Sequence, residues 1–137
     1  MQQSESFQNF MRARDAEKDI RDKFSQTLEH VRLAMASFDN RYPLGDDITV
    51  TPVDAGGVPA EWVVPASARA ERVILYIHGG CYISGSPTTV RECASRIGRA
   101  ADARVLNIDY RLAPEHPFPA ALDDALAAYR WLLAQGY

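Results

Sequence analysis

The residues best suited to chemistry are His78-Gly79-Gly80-Cys81-Tyr82, which follow directly on the apolar run Val73-Ile74-Leu75-Tyr76-Ile77. Such a run, bounded by glycines, predicts a buried strand. A strand that breaks into a glycine turn exposes backbone N–H groups at its C-terminal end, where open α/β sheets carry their ligands. Glycine lets the chain approach a ligand closely and take φ > 0. N–H groups so presented can hold the oxyanion that develops in acyl transfer, usually a large electrostatic contribution to catalysis. The expected donors are the amides of Gly80 and Cys81, with Gly79 shaping the turn. A backbone donor is indifferent to its own side chain, so cysteine at position 81 matters only if φ must be positive there. Taken alone, so short a motif is more simply a plain strand-to-loop turn. A G-x-S-x-G nucleophile elbow does not occur in the 137 residues.

Other reactive side chains read more plainly. His30 and His116 stand at no metal-ligand spacing from Cys81 or Cys93, so no metal is expected. Cys81 as a nucleophile would need a thiolate and a base, and nothing in the sequence identifies the base. His78 has no serine or acid beside it and is expected to shape the loop. Cys93 falls on the apolar side of a helix and reads as a small buried hydrophobe. Arg111 and Glu115 are expected to brace their loop as a charge pair. Asp123 and Asp124, in the first turn of a helix, complement its dipole.

The elements that must position these residues follow from periodicity. Residues 4–38 carry a helical stripe, with Phe7, Phe10 and Met11 on one turn and Ile20, Phe24, Leu28, Val31, Met35 and Phe38 after it. Residues 41–47 form a linker. Ile48 to Val53 and Val58 to Val64 read as strands joined by the turn Asp54-Ala55-Gly56-Gly57. Strand 72–77 and its glycine loop come next. Ser86 caps a helix with Pro87 at its first position, and Val90, Cys93, Ala94, Ile97 and Ala101 give that helix its apolar face. Strand 104–108 follows, then a proline-rich loop over 109–118. A last helix opens at Pro119, with Leu122, Ala125, Leu126, Tyr129, Leu132 and Leu133 on one face. Strand–helix–strand–helix with near-continuous apolar strands predicts an α/β fold with a mostly parallel sheet. The pattern calls for a further strand after residue 135, without which strand 104–108 would present an open edge. Poor folding or self-association of this polypeptide alone is the matching expectation.

Composition excludes several classes. A net charge of −3 with scattered Lys and Arg argues against a nucleic-acid partner. The apolar runs are too short to span a bilayer. The N-terminus lacks a basic segment followed by an apolar one, and two cysteines make no disulfide framework. Both observations point to the cytoplasm.

Two motifs together carry a resemblance. Leu75-Tyr76-Ile77-His78-Gly79-Gly80-Cys81-Tyr82 and Asp109-Tyr110-Arg111-Leu112-Ala113-Pro114-Glu115-His116-Pro117-Phe118-Pro119-Ala120-Ala121-Leu122 stand in order with a helix between them. They resemble the hormone-sensitive-lipase family of α/β-hydrolases over residues 48–137. Residues 1–47 are similar to that family's N-terminal helical cap segment, and residues 48–137 to the N-terminal part of its hydrolase domain. The wording of the glycine loop is closest to bacterial short-chain esterases and ε-lactone hydrolases. The resemblance implies a cofactor-free serine hydrolase of small esters or lactones. It implies an oxyanion hole at Gly79, Gly80 and Cys81, a loop-shaping His78, and a substrate pocket near Tyr82, Phe24 and Phe38. It also implies that the elbow, written G-D-S-A-G-G in the family, lies with the acid and the histidine beyond Tyr137, so that residues 1–137 alone would be inactive. The family often dimerises, so a homodimer is expected of the full-length protein. The rival reading is a non-catalytic small-molecule-binding member, as in the plant gibberellin receptors of this fold family, or a dead truncated fragment.

Overall fold

Asp54-Ala55-Gly56-Gly57 turns the chain back on itself in the computed structural model, which describes residues 11–12, 28–39 and 41–137. Of the long N-terminal stripe, α1 (Leu28–Ala36) is described, while Phe7, Phe10, Ile20 and Phe24 lie outside the described residues. At the turn, the Gly57 amide donates to Asp54 Oδ1 at 2.7 Å and the Ala55 amide donates to Val58 O at 2.8 Å. The φ angles of Gly56 and Gly57, 75° and 89°, are those glycine adopts without steric cost. The turn joins β1 (Ile48–Asp54) to β2 (Pro59–Pro65) as an antiparallel pair with Ile48 opposite Pro65.

The chain continues through β3 (Arg69–Ile77), α2 (Pro87–Ala101), β4 (Ala103–Ile108) and α3 (Ala120–Ala134). The four strands form one mixed sheet in the order β1-β2-β4-β3. β3 and β4 run parallel, with Ile77 opposite Ile108, and β2 runs antiparallel to β4, with Ala60 opposite Ile108. This corrects the expectation of an open edge on 104–108. The hairpin brings β2 alongside β4, so β4 is covered on both sides and the edge strands are β1 and β3, with Ile77 of β3 50% exposed.

Strand alternation sends neighbouring side chains to opposite faces. Trp62, Leu106 and Ile108 pack with Ala128 and Leu132 of α3, while Val63 and Val105 pack with Ala94 of α2. The sheet therefore lies between two helices. Ser86 caps α2 as expected, its Oγ accepting from the Thr89 amide at 3.4 Å. The apolar face read for α2 is rotated. Ala94, Ser95 and Gly98 are the buried positions, and Cys93 and Ile97 are exposed. Small residues let the helix axis approach the sheet: a Cβ at Gly98 would stand 3.0 Å from both Ala103 O and Val105 Cγ2. Cys93 is thus no core residue, and its Sγ lies 3.8 Å from the Tyr76 hydroxyl. On α3 the buried set is Asp124, Ala128 and Leu132, while Leu122, Leu126, Tyr129 and Leu133 are 40–52% exposed.

Beneath α2 lies a polar network. Arg91 Nη2 donates to Glu61 Oε2 at 2.6 Å, and Asn107 Nδ2 donates to Glu61 Oε1 at 3.0 Å and to Pro87 O at 3.1 Å. The Arg91 and Glu61 side chains are 23% and 9% exposed, so loss of the guanidinium leaves a desolvated carboxylate uncompensated. Arg91→Met is expected to destabilise the protein by about 3 kcal/mol, read from the urea midpoint at unchanged m-value.

Candidate active site

Parallel pairing of β3 and β4 delivers the glycine loop and the 109–119 loop to the same end of the sheet. His78 closes β3 and is buried, its ring stacked on Tyr110 with centroids 4.2 Å apart. The Tyr110 hydroxyl donates to His78 O at 2.7 Å. Burial, then the neighbouring Tyr82 and Cys81, push that hydroxyl above its ordinary range, which keeps it a donor.

His78 Nδ1 lies 2.9 Å from Gly79 O. A carbonyl only accepts, so Nδ1 carries a proton and donates it to Gly79 O. Nε2 is buried and has no partner among the described residues. A general base needs its acidic partner at one nitrogen and the nucleophile at the other. His78 has spent Nδ1 on its own loop.

Gly80 O accepts three hydrogen bonds, from the Ile83 amide at 3.1 Å, the Ser84 amide at 3.1 Å and Ser84 Oγ at 3.0 Å. In a planar trans peptide the N–H points opposite to the preceding C=O. With Gly80 O turned toward Ser84, the Cys81 N–H faces away from it. With Gly79 O turned toward His78, the Gly80 N–H faces away from the ring. Neither amide donates to an acceptor among the described residues. Gly80 sits at φ 134°, and a Cβ there would stand 1.9 Å from Ser84 O. Gly85 sits at φ 91°, where a Cβ would stand 2.5 Å from Gly79 O. Cys81 and Tyr82 follow at φ 55° and 63°, a left-handed conformation that is uncommon outside glycine.

The loop opposite is tied at several points. The Ala113 amide donates to Tyr82 O at 2.8 Å. Arg111 donates from Nη2 to Asp124 Oδ1 at 2.7 Å and from its backbone amide to Asp124 Oδ2 at 2.8 Å. Burial pushes the Asp124 carboxyl up, but the Arg111 hydrogen bonds outweigh it and hold the group below its usual range. Glu115 pairs instead with Arg32 of α1, both oxygens at 2.7 Å. Two expectations are corrected here. Arg111 does not pair with Glu115, and Asp124 is a buried ion-pair partner more than a complement to a helix dipole. Burial, against the opposing pull of His78 and aided by Glu61, raises the Asp109 carboxyl.

An apolar cavity of about 350 Å³ opens beside the loop, lined by Tyr82, Ala113, His116, Phe118 and Leu122. Phe38 does not join it. It lines a separate cavity of about 430 Å³ with Met35, Tyr42, Thr88 and Cys93. Phe24 lies outside the described residues. Among the described residues no group of three or more potential metal ligands occurs, and no helix is long and apolar enough to cross a membrane. No local signal marks Arg32, which falls between the apolar positions Val31 and Met35 of its helix. Ser84-Gly85-Ser86 did carry a signal, since small residues after a glycine turn mark a chain folded closely back.

These features are those of the first part of an α/β-hydrolase fold. Residues 74–137 match the family described as alpha/beta hydrolase fold. An acetyl-hydrolase of Streptomyces hygroscopicus is 52% identical over 94 residues, 69% of this chain and 29% of that protein. An esterase of Acinetobacter venetianus is 36% identical over 95 residues, 69% of this chain and 31% of that one. The crystal structure of an esterase from the bacterial hormone-sensitive lipase family superposes with a TM-score of 0.78 at 43% identity, covering 100% of this chain and 45% of that structure. The chain is similar to esterases of the hormone-sensitive-lipase family, as its two motifs imply, and has the fold of the N-terminal part of an α/β-hydrolase. It spans less than a third of the length of these two curated relatives.

Two outcomes follow from the loop. Cys81→Gly relieves a left-handed residue worth about 1–2 kcal/mol and adds about 0.5–1 kcal/mol of unfolded-state freedom. A net gain of roughly 0.5 kcal/mol is expected in urea unfolding. The second concerns Glu115, whose carboxyl the Arg32 hydrogen bonds hold at about 2 against an ordinary 4.5. A depressed carboxylate stabilises the fold above its unfolded value and loses that contribution as pH falls toward the folded one. The melting-temperature gap between wild type and Glu115→Gln, small because the pair is exposed, should be constant above pH 4.5 and close between 4.5 and about 2.

Proposed function

We propose that this chain is the N-terminal part of a serine carboxylic ester hydrolase, and that the amides of Gly80 and Cys81 polarise the scissile carbonyl. The observation that carries the reading is the pair of carbonyls, Gly79 O and Gly80 O, held by His78 and by Ile83 and Ser84. They turn the Gly80 amide away from the His78 ring and the Cys81 amide away from Ser84, and neither amide has an acceptor among the described residues. Donors fixed before the substrate arrives cost no reorganisation when charge develops on the oxygen. Gly79 shapes the turn and His78 supports it. Tyr82 lines the adjoining apolar cavity, which suits a small ester or lactone. Phe38 lines a separate cavity and contributes no wall to this one.

The nucleophile, its acid and its base belong in this reading to sequence beyond Tyr137, on the G-D-S-A-G-G pattern of the family. The serine attacks, the histidine takes its proton and returns it to the leaving alcohol, and water then releases the acid. A short acyl group is the preferred substrate, supported by the acetyl-hydrolase among the relatives. No cofactor is needed. The two free cysteines fit a reducing cytoplasm. Residues 1–47 act as the cap segment and residues 48–137 as the first part of the hydrolase domain.

The test uses the complete product of the reading frame with p-nitrophenyl acetate, p-nitrophenyl butyrate and a lactone. Turnover is expected, and Gly80→Ala should lower kcat by at least about 100-fold, because its Cβ would overlap Ser84 O. A folded complete protein that binds small esters but cleaves none would make it a binding member of the family.

A further inference from the structure

Arg32 sits where three segments meet. From α1, its Nε donates to Ile83 O at 2.9 Å and its Nη2 donates to Ala113 O at 3.0 Å. Nη1 and Nη2 also donate to the two oxygens of Glu115 at 2.7 Å each. One planar fork thus holds a residue of the glycine loop and two residues of the 109–119 loop. The pattern closes on itself, because the Ala113 amide donates to Tyr82 O. Tyr82 O and Ile83 O, consecutive carbonyls, are therefore both captured, one by Ala113 and one by the arginine that binds Ala113.

The captured stretch directly follows the strained residues. Cys81 and Tyr82 at φ 55° and 63° persist only where surrounding contacts over-determine them. Gly80 O is held from the far side of the turn by Ile83 and Ser84. Ile83 is thus fixed at both groups: its amide to Gly80, its carbonyl to Arg32. Without the second tie, Ile83 is free to rotate and the Gly80 carbonyl loses a fixed donor. The direction of the Cys81 amide depends on that carbonyl.

We propose that Arg32 is a positioning residue, which locks the Cys81-Tyr82 turn to α1 through Ile83, Ala113 and Glu115 and so aims the Cys81 amide. Its catalytic consequence rests on the ester-hydrolase reading. Arg32 and Glu115 are 34% and 52% exposed, and a pair so exposed contributes little to global stability. Its effect is local. A lysine has one ammonium and cannot reach two carbonyls and a carboxylate with fixed geometry.

The complete protein is compared with Arg32→Met and Arg32→Lys by amide hydrogen exchange, ester kinetics and melting temperature. In Arg32→Met, exchange should quicken at the Ile83, Ser84 and Ala113 amides and stay unchanged in β4. Its kcat should fall on the order of 10- to 100-fold, as a small misplacement of a catalytic group does, with KM nearly constant and the melting temperature little altered. Arg32→Lys should recover only part of kcat. Unchanged exchange at those three amides overturns the proposal, as does full recovery by lysine or a kcat loss that only mirrors a lower melting temperature. Exchange needs no turnover. Faster exchange in Arg32→Met of a protein that cleaves no ester would sink the ester reading while the lock itself stands.

Discussion

A peptide unit cannot turn its carbonyl one way and its amide the same way. At the glycine loop this planarity converts a packing requirement into a chemical one. Gly79 O is drawn to the buried His78 ring and Gly80 O to the Ile83 and Ser84 amides, so the next amide in each case is sent the opposite way. The arrangement needs space on the inward side. Gly80 and Gly85 supply it, since a Cβ at either position would stand within 2.5 Å of backbone oxygen. It does not need glycine at position 81, where a left-handed cysteine is accommodated by the contacts around it.

His78 itself is held by a residue 32 positions later, Tyr110, which stacks on the ring and donates to its carbonyl. That meeting is a product of the sheet. β3 and β4 are parallel and end level, Ile77 opposite Ile108, so the first residues past each strand become neighbours. The parallel pairing in turn requires α2 to cross back close to the sheet, which Ala94 and Gly98 allow by having little or no side chain. The small residues of a helix and the geometry of a loop at the far end of the strand are thus linked through register.

Local signals made much of this legible. The hairpin turn is written in Asp54 and two glycines, the α2 cap in Ser86-Pro87, and the donor loop in glycines that follow an apolar strand. What was illegible has a common physical form: a choice among several chemically equivalent partners. Arg111 could pair with Glu115 four residues on or Asp124 thirteen residues on, and the helix start at Ala120 decided for Asp124. The open edge was misassigned because strand order is not contained in strand pattern. The faces of α2 and α3 were misread because both helices carry more apolar residues than one face holds, so periodicity alone did not choose between Cys93 and Ser95, or between Leu126 and Ala128. Nothing local distinguishes Arg32 from any other arginine on a helix.

The 109–119 loop shows why two ion pairs in one loop are not interchangeable. Arg111–Asp124 fixes the start of the loop to the first turns of α3, and Asp124 is buried, so its carboxylate must be satisfied for the helix to pack. It belongs to the fold. Arg32–Glu115 is partly exposed, yet the same guanidinium carries the carbonyls of Ile83 and Ala113. Its weight falls on backbone direction more than on burial. A loop anchored only by the first pair would keep its attachment to the sheet and lose its attachment to α1. The second pair therefore makes the N-terminal helix part of the machinery that orients the glycine loop, with no side chain of that helix reaching the amides themselves.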